Sequence, residues 1–163
     1  MTLTEQQKNV IEVLNKARAM ELHAIMQYMN QHYGLDDDNY VKLAKEMKTI
    51  AIDEMRHAEW FAERIHDIHG DAEPTTAFDG NVLRGQEVEE IYGFNADMEA
   101  DTLVKYNEFL QICRENNDSV TAVLFEKVIH EEQAHFNYFD DTATHIQKLG
   151  SSFLARMTDA SGA

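Results

Sequence analysis

The sequence predicts an all-α protein: a four-helix bundle with one long crossover and a short fifth C-terminal helix. Three observations carry that prediction. Helix breakers are scarce, with one proline and seven glycines in 163 residues. Between those few points, apolar residues recur at helical spacing over long uninterrupted runs. The second half of the chain also repeats the polar pattern of the first at a fixed offset.

Taken in order, Thr4 with Gln7 three residues on forms a capping box. It predicts a first helix over 5–33, with Val10, Leu14 and Ala17 on its apolar stripe. Gly34 and the acidic run Asp36-Asp37-Asp38 are expected to turn the chain into a second helix over 39–69, stopped by Gly70. Residues 70–85, with Gly70, Pro74, Gly80 and Gly85, read as a linker. A third helix is expected over 87–115, a turn at Asn116-Asn117-Asp118, and a fourth helix over 119–149. After Gly150 a short helix over 151–157 precedes a polar tail, and the whole chain, 1–163, is expected to be one domain. Helices of this size are about 45 Å long. The two short turns make each helix pair an antiparallel hairpin, while residues 68–85, extended, reach roughly 60 Å. That suffices to run the length of the bundle as a crossover.

Charge narrows the partners. Thirty acidic residues against 14 basic give a net charge of −16. Nucleic-acid binders cluster Lys and Arg, so no nucleic-acid partner is expected, whereas cations are concentrated at such a surface. Residues 1–10 are polar, without the apolar core of a secretory signal, and no stretch reaches the ~20 apolar residues of a membrane span. Cys113 is the single cysteine and cannot form an internal disulfide. No membrane partner and a cytoplasmic location are expected.

The repeat carries the chemistry. An offset of 78 residues maps Glu21 to Glu99, Tyr28 to Tyr106, Glu54 to Glu132 and His57 to His135, with Asp53 falling on Glu131 and Trp60 on Tyr138. In each half a Glu on one helix is followed by Glu-x-x-His on the next, and residues at i and i+3 share a helix face. One Glu from each of two helices plus Glu-x-x-His from the other two is the donor set of a di-iron or di-manganese carboxylate bundle. The four positive charges of two divalent metals are balanced by four carboxylates, which can bridge, while each imidazole completes one metal's shell. Glu63/His66 serves as a control: its offset counterpart is Asp141/Thr144, so it reads as surface charge. Tyr28 and Tyr106 are expected either to bond a ligand carboxylate or donate an electron, or to fill the core with the hydroxyl tied to a nearby acceptor.

Met55 stands apart. It follows Glu54, so it points about 100° around the helix from the metal face, and its offset counterpart is Gln133. On the first helix Leu22, Met26, Met29 and Tyr33 form a second apolar stripe, likewise about 100° from Glu21. A helix pair with such a second face is expected to dock on another subunit. For Met55 alone, a flexible interface filler is the plainer reading.

The segments Ala19-Met20-Glu21-Leu22 through Gln27-Tyr28, Ile52-Asp53-Glu54-Met55-Arg56-His57 and Glu131-Glu132-Gln133-Ala134-His135 resemble the bacterioferritin family over nearly the whole chain. The resemblance implies a ferritin-like fold and a hollow cage of 24 subunits, built from two-fold dimers. Such a cage oxidises Fe(II) to Fe(III) with O2 or peroxide and stores the ferric mineral. It places the dinuclear iron ligands, and hence the catalytic residues, on Glu21, Glu54, His57, Glu99, Glu132 and His135. It implies haem b or a related iron porphyrin, one per two subunits, with Met55 as axial ligand and Leu22, Ile25, Met26 and Met29 as pocket walls. An electron-donor protein for iron release is a further implied partner. One position departs from the family: Thr49 stands where many members carry a His that, with the Asp retained here as Asp53, forms an inner-surface iron site. The alternatives are a small di-iron peroxidase or oxygenase, and a haem electron carrier without storage.

Overall fold

A computed structural model describes residues 2–78 and 80–158. Among the described residues there are five elements, all helical: α1 (Glu5–Asp37), α2 (Val41–Ile68), α3 (Val88–Glu115), α4 (Ser119–Leu149) and the short α5 (Ser151–Arg156). α1 packs along α2 and α3 along α4, and the two hairpins meet through α1 with α3 and α2 with α4. Asn9 reaches Asn116 and Gln31 reaches Asn95, so α1 and α3 run antiparallel. The chain must therefore return the full length of the bundle between α2 and α3, as the linker length predicts. It does so as a strap laid along α1. Arg18 donates to the Thr75 carbonyl, His23 contacts the Asn81 carbonyl, and Gln27 pairs with both backbone groups of Leu83.

The ends of the helices differ from the expected ones in instructive ways. The Thr4–Gln7 capping box is present, but α1 continues through Gly34 to Asp37 and α2 begins only at Val41. A glycine inside a helix costs about 1 kcal/mol relative to alanine. Burial of Leu35, which extends the apolar stripe, returns roughly 1.5–3 kcal/mol and wins. The turn falls instead at Asn39, in the left-handed region at φ 64°, a conformation asparagine tolerates. Gly70 does not stop α2: the helix ends at Ile68, and His69 is already extended. Glu87 lies outside α3 as its N-cap, in a capping box with Glu90, and Met157 is the C-cap of α5 rather than its last residue. The end of the expected polar tail, residues 159–163, lies outside the described residues.

The core has two apolar halves with a polar layer between them. One half gathers Tyr28, Leu35, Met47, Tyr92, Phe139 and Leu154. The other gathers Leu14, Phe61, Ile65, Tyr106, Phe125 and Val128. Between them along every long helix lie buried Glu21, Glu54, His57, Glu99, Glu132 and His135. Burying charged groups costs several kcal/mol each unless they are paired, so the apolar halves hold together a layer that opposes folding by itself.

Candidate metal centre

The six residues singled out by the repeat all meet at mid-height of the bundle. Their donor atoms form two overlapping groups, Glu21, Glu54, His57 and Glu132, and Glu54, Glu99, Glu132 and His135, with the atoms of each group within 4.8 Å of one another. Glu54 and Glu132 belong to both groups, one from α2 and one from α4. Glu21 from α1 and Glu99 from α3 each belong to one. Both imidazoles turn Nδ1 inward. His57 Nδ1 lies 3.0 Å from Glu54 Oε2 and 3.1 Å from Glu132 Oε1, and His135 Nδ1 lies 3.1 Å from Glu54 Oε1 and 3.2 Å from Glu132 Oε2. Two shared carboxylates with one carboxylate and one imidazole on each side is the geometry of two metal positions.

The donor set fits metal on its own chemistry. Oε1 of Glu54 is buried, and its 3.1 Å approach to His135 Nδ1 lacks the alignment of a hydrogen bond. Burial, together with the charges of Glu21 and Glu99, pushes the Glu54 carboxyl up to about 8. Burial and the charges of Glu54 and Glu21 push Glu132 up to about 7, and burial with Glu132 holds Glu99 well above the usual range. Glu21 moves the other way: burial would raise it, but its hydrogen bond and attraction to His57 outweigh that. For the imidazoles, burial disfavours charge, but hydrogen bonds to the surrounding carboxylates prevail, holding His57 far above its ordinary value and His135 up to about 12. Without metal the layer thus takes up protons as its counter-charge. Divalent cations are the better one, since carboxylate oxygen and imidazole suit iron or manganese.

A second layer of contacts fixes the donors. Tyr28 Oη donates to Glu99 at 2.5 Å and Tyr106 Oη to Glu21 at 2.6 Å, each tyrosine holding the terminal carboxylate of the opposite helix. Both hydroxyls are therefore core-filling and carboxylate-bound at once. The outward nitrogen of each imidazole faces the acid that precedes the opposite Glu-x-x-His: His135 Nε2 lies 3.1 Å from Asp53 Oδ2, and His57 Nε2 lies 3.8 Å from Glu131 Oε1. The offset pairs Asp53 with Glu131 in the sequence, but their contacts with the imidazoles were not foreseen there. Their signal was the position directly before each Glu-x-x-His, at the same 78-residue offset.

A cavity of about 920 Å³ leads to the layer between α1 and α3. Met20, Ala24, Met98, Thr102 and Phe109 form its walls, while Glu21, Glu54, Glu99 and Glu132 reach its floor. The remaining predicted residues lie elsewhere. Met55 and Met26 are 54% and 53% exposed, Leu22, Ile25 and Met29 are half-buried, and Ile52 on α2 and Tyr33 on α1 are exposed as well. No helix among the described residues is long and apolar enough to cross a membrane.

A four-helix bundle with a long crossover, enclosing two shared and two terminal carboxylates with two histidines, is a ferritin-like dinuclear carboxylate protein. The Ferritin-like domain family matches residues 11–149. Bacterioferritin from Desulfovibrio desulfuricans is 57% identical over 153 residues, covering 94% of this chain and 84% of that protein. Bacterioferritin from Mycobacterium bovis is 32% identical over 142 residues, covering 87% and 88%. A crystal structure of Desulfovibrio desulfuricans bacterioferritin, describing its diiron site in different catalytic states, superposes with a TM-score of 0.91 at 52% identity over 99% of this chain and 97% of that one. The chain belongs to the bacterioferritin family, and iron storage with a dinuclear ferroxidase centre is the function that membership assigns to it.

Proposed function

We propose that Glu21, Glu54, His57, Glu99, Glu132 and His135 are the ligands at which Fe(II) is oxidised, with O2 or peroxide as acceptor. The observation that carries the reading is the sharing of Glu54 and Glu132 between two donor groups that are otherwise separate. Fe(II) enters as substrate through the cavity between α1 and α3, drawn by the carboxylates on its floor. Glu21 with His57 holds one ion and Glu99 with His135 the other, both bridged by Glu54 and Glu132. Binding displaces the protons held by Glu54, Glu99 and Glu132 and those on the inward Nδ1 of His57 and His135. Each pair of ions then gives two electrons to the acceptor. Tyr28 and Tyr106 keep the terminal carboxylates aimed inward, and the apolar halves of the core exclude bulk water. The ferric product leaves for storage inside a cage, for which 24 subunits built from two-fold dimers are the expected assembly.

The same reading gives the exposed α1–α2 face a second subunit and a shared haem, one per two chains. The residues present fit that group, because Met55 exposes its thioether on the helix face it shares with exposed Ile52, and α1, packed along α2, exposes Met26. A haem held there by Met55 of each subunit would supply one-electron transfer. An electron-donor protein for iron release completes the expected partners. Stopped-flow oxidation of Fe(II) added to the metal-free protein in air tests the reading. Wild type should show a fast phase that Glu132→Ala lacks, and an unchanged fast phase in that variant would contradict the assignment.

A further inference from the structure

Trp60 is the only tryptophan of the chain, and iron oxidation as derived above does not use it. It follows His57 by three residues and so shares its helix face. Its ring lies 5.5 Å from the His57 imidazole, centroid to centroid, inclined by 40°. His57 is wholly buried with Nδ1 among the donor carboxylates, whereas Trp60 is half-buried. An oxidisable ring therefore connects an inner ligand to the protein surface. Among the described residues no tryptophan or tyrosine ring stacks on His135 in the same way. The counterpart of Trp60, Tyr138, packs against Tyr92 and Phe139.

We propose that Trp60 is a one-electron relay of the centre, supplying the second electron when hydrogen peroxide meets a centre holding a single Fe(II). The proposal rests on the ferroxidase reading. Peroxide needs two electrons, and a lone Fe(II) has one to give. By itself that ion would yield Fe(III), hydroxide and a hydroxyl radical. With Trp60 in contact through His57, the second electron comes from the indole, whose N–H proton passes to water. The sum is Fe(II), H2O2 and tryptophan giving Fe(III), hydroxide, water and the neutral tryptophanyl radical. A further Fe(II) and a proton from solvent restore the ring.

Two neighbours shape this role. The Lys127 ammonium lies 3.7 Å from the Trp60 ring centroid. A cation there disfavours positive charge on the oxidised ring and so promotes loss of the N–H proton. Tyr28 and Tyr106 are less suited to the relay: both are fully buried, with their hydroxyls held by Glu99 and Glu21 and no exposed edge through which to be refilled.

Because the chain has one tryptophan, isotope labelling identifies the radical without ambiguity. Protein carrying one equivalent of Fe(II) per chain is mixed with H2O2, freeze-quenched and examined by electron paramagnetic resonance, with ordinary and with ring-deuterated tryptophan. The expected result is an organic radical whose spectrum narrows on deuteration and is lost in Trp60→Phe, together with a several-fold rise in hydroxyl-radical spin-trap adduct in that variant. A spectrum indifferent to tryptophan labelling, one that narrows with deuterated tyrosine, or no radical at all would overturn the proposal. Titration of the metal-free protein with Co(II) gives an independent reading of the contact, through quenching of Trp60 fluorescence as the centre fills. Unquenched emission at saturation would also overturn it. Fast oxidation of two Fe(II) per chain by O2 in wild type is scored separately, so failure of the ferroxidase reading is distinguished from failure of the relay.

Discussion

Asp53 Oδ2 lies 3.1 Å from His135 Nε2, the nitrogen turned away from the metal layer. Through this contact an acid on α2 fixes the tautomer and aim of an imidazole on α4, and Arg56 holds that acid from its other side at 2.6 Å. The equivalent contact in the other half, Glu131 to His57, is longer at 3.8 Å, and His57 Nε2 has no hydrogen bond. The two metal positions are thus supported unequally. Removal of such a partner costs about 10–100-fold in metal affinity. Asp53→Ala should show a loss in that range at one of the two sites, and Glu131→Ala a smaller one. Calorimetric titration with Co(II) would resolve the difference; equal effects of the two variants would contradict the asymmetry.

Glu54 and His135 should be dispensable for folding but not for chemistry. Their layer opposes folding, and the apolar halves on either side are independent of it. His135→Ala should lose fast iron oxidation while keeping the helical circular dichroism of wild type. In metal-free protein near neutral pH, Glu54→Gln removes a carboxyl that burial and the charges of Glu21 and Glu99 force to keep a proton the unfolded chain gives up. A gain of about 1 kcal/mol would raise the melting temperature by roughly 2–4 °C, and a lowered melting temperature would contradict the charge account.

The pH dependence of the metal-free protein follows from the same groups. Glu54, raised by burial and by Glu21 and Glu99 to about 8, and Glu132, raised by burial and by Glu54 and Glu21 to about 7, keep protons that an unfolded chain loses near 4.5. Over that window the folded state binds more protons, so stability falls as pH rises. His135, which burial alone would lower, is held up to about 12 against 6.5 by its hydrogen bond to Glu132 and its attraction to Glu54, and continues the fall above neutrality. Glu21 acts oppositely, its contribution being lost in acid as pH drops through its lowered value. The melting temperature of metal-free protein should therefore decline from about pH 6 to about pH 8. Metal replaces the protons as counter-charge, so the loaded protein should be far less sensitive.

Met55→Leu tests the haem reading separately from the iron centre. The substitution keeps volume and apolarity, typically costs under about 1.5 kcal/mol, and removes the sulfur. The dimer should persist while haem is lost or weakly held. Haem at wild-type stoichiometry with an unchanged low-spin spectrum would eliminate Met55 as the ligand.

Much of this was legible in the sequence because it depends on helical periodicity. The Glu and Glu-x-x-His spacings repeat within single helices, so the six side chains that meet at mid-height could be named before any packing was known, and the full-length crossover followed from counting linker residues. What escaped depends on register between helices. The Asp53–His135 pair joins residues 82 apart, and the cavity wall combines α1 with α3. The helix ends failed for a different reason: Gly34 and Gly70 are local signals, and burial of Leu35 overrode the first.

The central claim is that Glu54 and Glu132 bridge two irons at which Fe(II) is oxidised. It is tested most directly by counting the Fe(II) oxidised in the fast phase when metal-free protein is titrated anaerobically and then mixed with O2. Two ions per chain are predicted for wild type, one for each donor group, with the fast phase absent in Glu54→Ala and Glu132→Ala. A fast phase that saturates at one ion per chain, or that survives in both variants, would contradict it.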